Sequence, residues 1–320
     1  MNNDFPKIYR NLYSKEFEDF CRQQIIPILR NRKKYIKGEE KNKKFNYIYP
    51  VLFVPIFIFV FFFYMSLSIK IVLSFSIIFI IFLTVLLFQI VYKEFIQYQE
   101  KKNRVLSKLF SLFSNFKYIT SKNEIKIFQN YLNKISLFKN YQENICIQSE
   151  DFFKIKYNKL DIDLCEVVLH TRSGKHDEYN SAIFYRIKTK KEFSSKTTIQ
   201  RRTSPITSIL QENVLLESKE FNNTFKVKTS NQTEARLFLT PAFMERLLRF
   251  YSFFCTRDFA ISFEYGYMNI YIQTKDYNSF EINNTNSYRT EECIDTLRKA
   301  IIDLKKYLSF LDDLEIENII

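Results

Sequence analysis

Two long apolar runs that follow each other closely dominate the hydrophobic pattern of the chain. Phe45 to Ile69 and Ile71 to Tyr92 contain 25 and 22 uncharged residues, and only Lys70 separates them. A bilayer core about 30 Å thick is crossed by about 20 apolar residues in a helix, so each run is long enough to span it. The pattern therefore predicts a transmembrane helical hairpin over residues 45–92.

A shorter amphipathic pattern precedes the hairpin and predicts a helix over residues 5–29. Its apolar side consists of Phe5, Ile8, Leu12, Phe17, Phe20 and Ile25. Pro27 is expected to end or kink this helix, because proline lacks the amide hydrogen of the helical ladder. Two placements are open: the helix packs on the soluble part of the protein, or it lies on the membrane surface.

After the hairpin, the second span is expected to continue as a helix into the soluble part of the chain. The apolar stripe of this extension comprises Phe95, Tyr98, Val105, Leu109, Leu112, Phe113 and Phe116. Another helix is predicted over Lys122 to Phe138, so that residues 93–142 form a helical connector.

From about Asn144 the pattern becomes typical of strands. Partial alternation of apolar and polar residues predicts strands over 152–157, 161–171, 181–189, 197–200, 214–217 and 225–229. Thr240 and Pro241 suit the N-cap and the first position of a helix. Tyr265 and Gly266 suit the turn of a hairpin formed by 259–263 and 268–273.

The last predicted helix covers residues 291–311 and carries a heptad-like apolar stripe. Its members are Ile294, Leu297, Ile301, Leu304, Leu308 and Leu311. The stripe either packs on the sheet of the same chain or pairs with a second copy, which would make the protein a homo-oligomer.

These elements predict an α+β fold: an N-terminal helix, a transmembrane helical hairpin, and a cytoplasmic domain with a mostly antiparallel sheet and packing helices. A small roll or a split barrel is one form that such a sheet takes. The expected organisation is an amphipathic helix with a basic collar (1–44), the hairpin (45–92), the connector (93–142) and the α+β domain (143–320).

The charges flanking the hairpin predict its orientation. Residues 30–44 carry +6 and residues 93–108 carry +3 of the formal net charge of +13, whereas the turn has Lys70 alone. Basic residues concentrate on the cytoplasmic side of membrane proteins, so both termini are expected in the cytoplasm. Because most of the excess charge flanks the bilayer, nucleic-acid binding is not expected.

Few catalytic arrangements are compatible with the composition. Three glycines exclude a phosphate-binding glycine-rich loop, and the five cysteines form no CxxC pair. Cys165 and His170 would face opposite sides of one strand, and His176 would lie near a turn, so neither a Cys–His nucleophile nor a metal site is indicated. No catalytic residue, cofactor or metal is predicted. The spans contain no ionisable residue apart from Lys70 between them, which favours an anchor over a transporter.

Two pairs of carboxylates and one basic strand are the remaining candidates for chemistry. Glu150–Asp151 and Asp161/Asp163 suit acid–base work or Mg²⁺, although carboxylates near turns are most often solvated or cap other groups. The basic set could contact anionic lipid headgroups from an anchored domain, or simply form a solvated face. Its members are Arg186, Lys188, Lys190, Lys191, Arg201 and Arg202.

The segment from Leu216 to Leu247 carries a recognisable signature. It reads LESKEF, then FKV, then TSNQTEAR, and then LTPAFMERL. This segment resembles a family of bacterial two-span membrane proteins catalogued as a domain of unknown function, and shorter matches extend the resemblance over nearly the whole chain. The resemblance implies no activity. The polar signature residues Glu234, Arg236, Glu245 and Arg246 are either active-site groups or, as we favour, internal ion pairs and caps.

Together these observations predict a membrane-anchored cytoplasmic interaction or regulatory module of the bacterial inner membrane, with an unidentified protein partner and no identifiable reaction. The alternative is an enzyme or binding domain that acts on anionic lipid headgroups or a phosphorylated substrate at the membrane surface. An oligomeric pore is a third class, which the lack of ionisable residues within the spans disfavours.

Overall fold

The computed structural model describes residues 12–30, 69–138, 145–173, 176–190, 194–202, 212–254, 258–274, 279–282, 290–314 and 316. The chain divides into two compact units. One comprises Met1–Asp19, Leu106–Asn283 and Tyr288–Ile320, and the other comprises Phe20–Val105 and Asn284–Ser287. The first predicted span up to residue 68, the N-terminal basic collar and Lys191 lie outside the described residues.

The N-terminal helix has three segments: α1 (Lys15–Phe20), a π-helical turn (Cys21–Ile25) and α2 (Ile26–Arg30). Pro27 was expected to end or kink the helix, but α2 continues past it to Arg30. The π-helical turn gives the physical reason, because its wider winding relieves the clash between a proline ring and the carbonyl four residues earlier.

The long helix α3 (Ile69–Phe110) contains the second predicted span. Within the described part of the chain, one helix is long and apolar enough to cross a membrane, over Ile78–Phe110. The apolar stripe was predicted to continue in the helix to Phe116, and this was wrong. The helix ends at Phe110, where Ser111, Ser114 and Asn115 favour turns over further helix, and Phe116 instead opens a strand.

The remaining elements follow in the order strand, helix, strands and helices. They are β1 (Phe116–Ile119), α4 (Lys122–Leu132), β2 (Ile145–Tyr157), β3 (Leu160–Ser173), β4 (His176–Lys188), β5 (Thr197–Arg201), β6 (Glu212–Val214), α5 (Lys219–Thr224), β7 (Phe225–Thr229), α6 (Gln232–Phe238), α7 (Pro241–Phe254), β8 (Phe259–Glu264), β9 (Tyr267–Gln273) and α8 (Thr290–Asp313).

The described strands form one nine-stranded sheet in the order β1-β2-β3-β4-β9-β8-β5-β7-β6. Every pairing between them is antiparallel. The α+β fold with an antiparallel sheet is therefore confirmed. The sheet is open, with β1 and β6 at its two ends, rather than closed into a roll or split barrel.

Local signals in the sequence account for several element boundaries. Ser121 caps α4 by accepting a hydrogen bond from the amide of Glu124. Thr240 does the same for the start of α7, through a bond from the amide of Phe243. Tyr265 (φ 55°) and Gly266 (φ 73°) both adopt positive φ between β8 and β9, as a two-residue hairpin turn requires. The predicted hairpin is confirmed.

Helix α4 covers one part of the sheet and forms a buried aromatic and aliphatic core with it. Phe128 stacks on Phe152 at 4.5 Å and meets Phe184 edge to face at 6.0 Å. Further members of this core are Leu132, Ile135, Leu137, Phe138, Cys165, Val167, Leu169, Ala182, Ala260 and Tyr271.

Helices α7 and α8 pack on other parts of the sheet. Phe250 of α7 lies 5.6 Å from Phe259 and 4.0 Å from Phe310 of α8. The whole predicted stripe of α8 is buried within the single chain: Ile294, Leu297, Ile301, Leu304, Leu308 and Leu311 are each at most 2% exposed. This burial agrees with packing inside the chain, which was one of the two interpretations of the stripe.

The N-terminal segment is bonded to α8 through Arg298. Its guanidinium donates to the carbonyl of Leu12 at 2.9 Å and to the carboxylate of Glu18 at 2.6 Å, and it lies 4.7 Å from the ring of Tyr13. These contacts support the first of the two predicted placements, in which residues 12–19 pack on the soluble part of the protein.

Candidate functional site

The most unusual backbone feature of the sheet is a β-bulge in β2. The pairing of β2 with β3 shifts between Glu150 and Phe153, and Asp151 adopts a positive φ of 46°. Consecutive residues of a regular strand point to opposite faces, whereas a bulge redirects one of them. The carboxylates of Glu150 and Asp151 therefore reach the same place.

A third carboxylate joins this pair from a distant part of the chain. Oxygen atoms of Glu150, Asp151 and Glu281 all lie within 4.8 Å of one another. Glu281 is held there by its neighbour Phe280, which is fully buried and lies 4.8 Å from Phe153. We call these three residues the acidic cluster.

Polar groups around the acidic cluster fix its buried members. The hydroxyl of Tyr118 donates to Asp151 Oδ1 at 2.8 Å, and Asp151 is only 7% exposed. Glu166, which pairs with Glu150 across the sheet, accepts a hydrogen bond from the amide of Ser279 at 2.8 Å. Ser279 thus fixes the segment that carries Glu281.

The low polarity of this region is visible in the titration of its groups. Burial, together with the nearby Asp151 carboxylate, raises the pKa of the Tyr118 hydroxyl, so that Tyr118 stays a protonated donor. Burial also raises the pKa of Glu281 above its ordinary value. An environment that disfavours a carboxylate charge is one in which a positively charged ligand is most effective.

The acidic cluster has the chemistry of a site for a hard cation. Carboxylate oxygens are the preferred ligands of Ca²⁺ and Mg²⁺. Across the described residues, this is the one group of three or more His, Cys, Asp or Glu side chains close enough to share an ion. The sequence singled out Glu150 and Asp151 but missed Glu281, because nothing in the pattern links positions so far apart.

Arg186, the central residue of the predicted basic set, lies beneath α4 instead of on an open face. It forms an ion pair with Asp163, and the two side chains are only 18% and 15% exposed. Its guanidinium carbon lies 4.5–4.9 Å from the ring centres of Phe128, Tyr131 and Tyr267. This aromatic cage explains the contacts of Arg186 as structural.

The other basic residues do not share one surface pattern. Lys188 and Lys190 are exposed. Arg201 is half-buried beside the ring of Tyr251, and Arg202 donates to the carbonyl of Asn222 at 3.1 Å. The predicted anionic-lipid surface is therefore reduced, among the described residues, to two exposed lysines next to three arginines with internal contacts.

The polar signature residues serve mainly as internal hydrogen-bonding groups. Glu234 accepts hydrogen bonds from the amides of Ser194 at 2.9 Å and Ser195 at 2.7 Å. Arg236 donates to the carbonyl of Leu215 at 3.1 Å. Glu245 is exposed and Arg246 half-buried on α7. The structure thus does not bring the four side chains together around one site.

Glu234 is stabilised in its charged form by these contacts. Partial burial acts to raise its pKa, but the hydrogen bonds from Ser195 and Ser194 outweigh burial and hold the pKa below its ordinary value. Glu234 therefore ties α6 to the loop before β5 as a carboxylate.

The cysteine and histidine candidates are separated by the fold. Cys165 is fully buried in the core beneath α4, where burial raises the pKa of its thiol. His170 stacks on Tyr179 at 4.4 Å, and His176 begins β4. The strand alternation that predicted opposite sides for Cys165 and His170 agrees with these positions.

Comparison with known proteins gives a family match for part of the chain. Residues 181–316 match the model of a family described as "Protein of unknown function (DUF3137)". The resemblance to a domain of unknown function is confirmed over these residues, which include the signature segment. A search of curated proteins found no match.

Among solved structures, the chain is similar to the mycobacterial trehalose monomycolate transport factor A, TtfA. The similarity covers 62% of this chain and 88% of that one, with 11% sequence identity and a TM-score of 0.31. A likeness at this level supports no conclusion about fold or function.

Proposed function

We propose that the protein is a membrane-anchored interaction or regulatory module of the bacterial inner membrane, whose α+β domain lies in the cytoplasm and contacts a protein partner. The observation that carries this proposal is helix α3. Its side chains are exposed and apolar from Ile78 to Tyr92, while Leu106, Leu109 and Phe110 in its last two turns are buried. One continuous helix thus serves as membrane span and as part of the domain core.

The dimensions of α3 support the membrane assignment. The uncharged stretch from Ile71 to Tyr92 has 22 residues. At 1.5 Å per residue it is about 33 Å long, which matches a hydrocarbon core about 30 Å thick. Phe110, at the helix end, meets Phe153 of β2 edge to face at 4.9 Å and Phe280 at 6.2 Å.

The cytoplasmic placement is supported by the distribution of basic residues. Residues 93–108, directly after the span, carry Lys93, Lys101, Lys102, Arg104 and Lys108. Such residues remain on the cytoplasmic side during insertion. With the first run spanning as well, the chain is a two-span protein with both termini inside and only the turn near Lys70 outside.

The environment of Arg186 favours the module over the alternative that acts on lipid headgroups. That alternative used Arg186 as the centre of an anionic-ligand surface. Because Arg186 is already paired with Asp163 and enclosed by three rings, headgroup binding there would first have to break these contacts.

The topology is tested by cysteine labelling in spheroplasts with a membrane-impermeant maleimide. We expect Lys70→Cys to be labelled in intact spheroplasts, since Lys70 lies at the outer end of the span. Lys108→Cys, placed in the last turn of α3, is the matched control and should be labelled only after lysis. Labelling of Lys108→Cys before lysis would overturn the cytoplasmic placement.

The interaction role is tested by photo-crosslinking in living cells. Leu237 and Leu215 are 75% and 72% exposed, so a photoreactive residue at either position samples a large apolar side chain open to a partner. The exposed Lys299 is the control position. We expect a discrete protein adduct from the leucine positions and none from Lys299. Turnover of a lipid or phosphorylated substrate by the purified full chain, without any adduct, would contradict the proposal.

A further inference from the structure

We propose that Glu150, Asp151 and Glu281 bind one hard divalent cation, of the class of Ca²⁺ or Mg²⁺. This inference goes beyond the anchoring and interaction role and does not depend on it. Ligand oxygens lie about 2.0–2.6 Å from such an ion. Carboxylate oxygens that already lie within 4.8 Å of one another can therefore surround an ion with little rearrangement.

A second observation, independent of the acidic residues, points to a ligand at the same place. Ser181 on β4 is 8% exposed, and its Oγ finds no hydrogen-bond partner in the described part of the chain. Ser181 lines a small cavity together with Glu150 and Glu166. Buried hydroxyl groups are nearly always hydrogen-bonded, so this one is explained by a water or ion that enters the cavity.

Strand alternation places the Ser181 side chain on the correct face for this role. Ser181 has the same parity along β4 as Ile183, and Ile183 pairs directly with Glu166. The Ser181 hydroxyl and the Glu166 carboxylate therefore share one face of the sheet. A cation-bound water in the cavity would find Ser181 Oγ as a hydrogen-bonding partner.

The burial of the three carboxylates suits entry and retention of an ion. Glu150 is exposed and provides access from solvent, Glu281 is half-buried, and Asp151 is buried at the inner end. Three carboxylates supply a charge of about −3, which balances a divalent ion better than a monovalent one. Hard oxygen ligands also favour Ca²⁺ and Mg²⁺ over softer metals such as Zn²⁺.

An ion in this position would connect two segments that are distant in sequence. It would link the β2 bulge to the segment 279–282, whose Phe280 packs on Phe153 and on Phe110 at the end of α3. We therefore expect cation binding to stabilise the fold, since a ligand that binds the native state alone raises its stability.

The test is calorimetric titration of the full chain in detergent micelles, first freed of metal with EDTA, with Ca²⁺ alone and Mg²⁺ alone. We expect one saturable site per chain, weakened at least about tenfold by Glu281→Gln, which corresponds to about 1.4 kcal/mol. Asp161→Asn removes an exposed carboxylate of the neighbouring strand β3 and is the matched control. It should bind like the unmodified protein.

Thermal unfolding followed by circular dichroism gives a second measure. Excess cation should raise the Tm of the unmodified protein and of Asp161→Asn, and leave Glu281→Gln unchanged. If Glu281→Gln does not fold, Glu150→Gln, which alters an exposed side chain, provides the same comparison. The proposal is overturned if the folded, unmodified chain takes up neither ion at millimolar concentration, or if both glutamine variants bind as tightly as it does.

Discussion

Two charged regions of the α+β domain, the aromatic cage of Arg186 and the acidic cluster, differ in the neighbours that the fold gives them. Arg186 has one carboxylate, Asp163, and three aromatic rings around its guanidinium. The acidic cluster brings Glu150, Asp151 and Glu281 together, so that like charges are neighbours.

This difference shows that the sign and number of charges in a sequence do not indicate which of them are available to a ligand. Arg186 lies in the most basic strand segment of the domain, yet its charge is already balanced within the protein. Glu150 and Asp151 are an ordinary acidic pair in the sequence, and a bulge and a distant glutamate make them the stronger candidate site. The availability of a charge depends on its neighbours in the fold.

The largest effect that would test this comparison is expected at Arg186. Arg186→Met keeps an apolar side chain among the rings but leaves Asp163 without its partner in a mostly buried position. Breaking such a pair costs about 3 kcal/mol. Chemical denaturation of the full chain in micelles, followed by circular dichroism, measures this loss of unfolding free energy.

Lys188→Met is the control for the Arg186 variant, because Lys188 is exposed on the same strand. Its expected effect is within about 0.5 kcal/mol. Equal losses for the two variants would show that the cage does not stabilise the domain, and would return Arg186 to the set of residues open to a ligand.

A smaller loss is expected for Glu234→Gln, which weakens the bonds from the amides of Ser194 and Ser195. Replacing the charged acceptor by a neutral one should cost about 1 kcal/mol at neutral pH. Glu245→Gln, at an exposed position of α7, is the control and should have almost no effect. A comparable loss in both variants would contradict the internal role of Glu234.

The pH dependence sharpens this test. Because the pKa of Glu234 is lower in the folded than in the unfolded chain, its contribution is fully present above the unfolded pKa of about 4.3. The contribution is lost as pH falls through the folded pKa. The difference in unfolding free energy between the unmodified protein and Glu234→Gln should therefore shrink on acidification below about pH 4.

The smallest effect, and the one of opposite sign, is expected at Glu281. In the presence of EDTA, Glu281→Gln removes one of three neighbouring carboxylates, so it should raise the unfolding free energy by about 0.5 kcal/mol. Asp161→Asn should give no such gain. A loss of stability in Glu281→Gln under these conditions would show that its charge is balanced within the protein, as that of Arg186 is.

Much of the secondary structure could be predicted from local signals. Strand β7 has the predicted bounds Phe225–Thr229, and helix α7 begins at the predicted Pro241. The turn at Tyr265 and Gly266 was also predicted. These features depend on a few adjacent residues, whose backbone preferences and hydrogen bonds are written directly in the sequence.

The errors arose where local signals compete with packing. The apolar stripe after the span continues through Phe113 and Phe116, but only Phe110 ends within the helix, since Phe116 pairs with Ile155 as the first residue of β1. Likewise, the basic alternation of β4 correctly put Arg186 on one face of a strand. It did not reveal that α4 covers this face.

What the sequence by itself determined about this protein is the set of features that depend on neighbouring residues: an apolar helix long enough for a bilayer, the strands and their turns, and the caps. The tertiary structure alone decided which charges are enclosed and which remain available. A bulge turned Asp151 toward Glu150, packing of Phe280 brought Glu281 to them, and α4 closed over Arg186. Each of these results depends on contacts between residues far apart in the chain, and the order of the amino acids does not display such contacts.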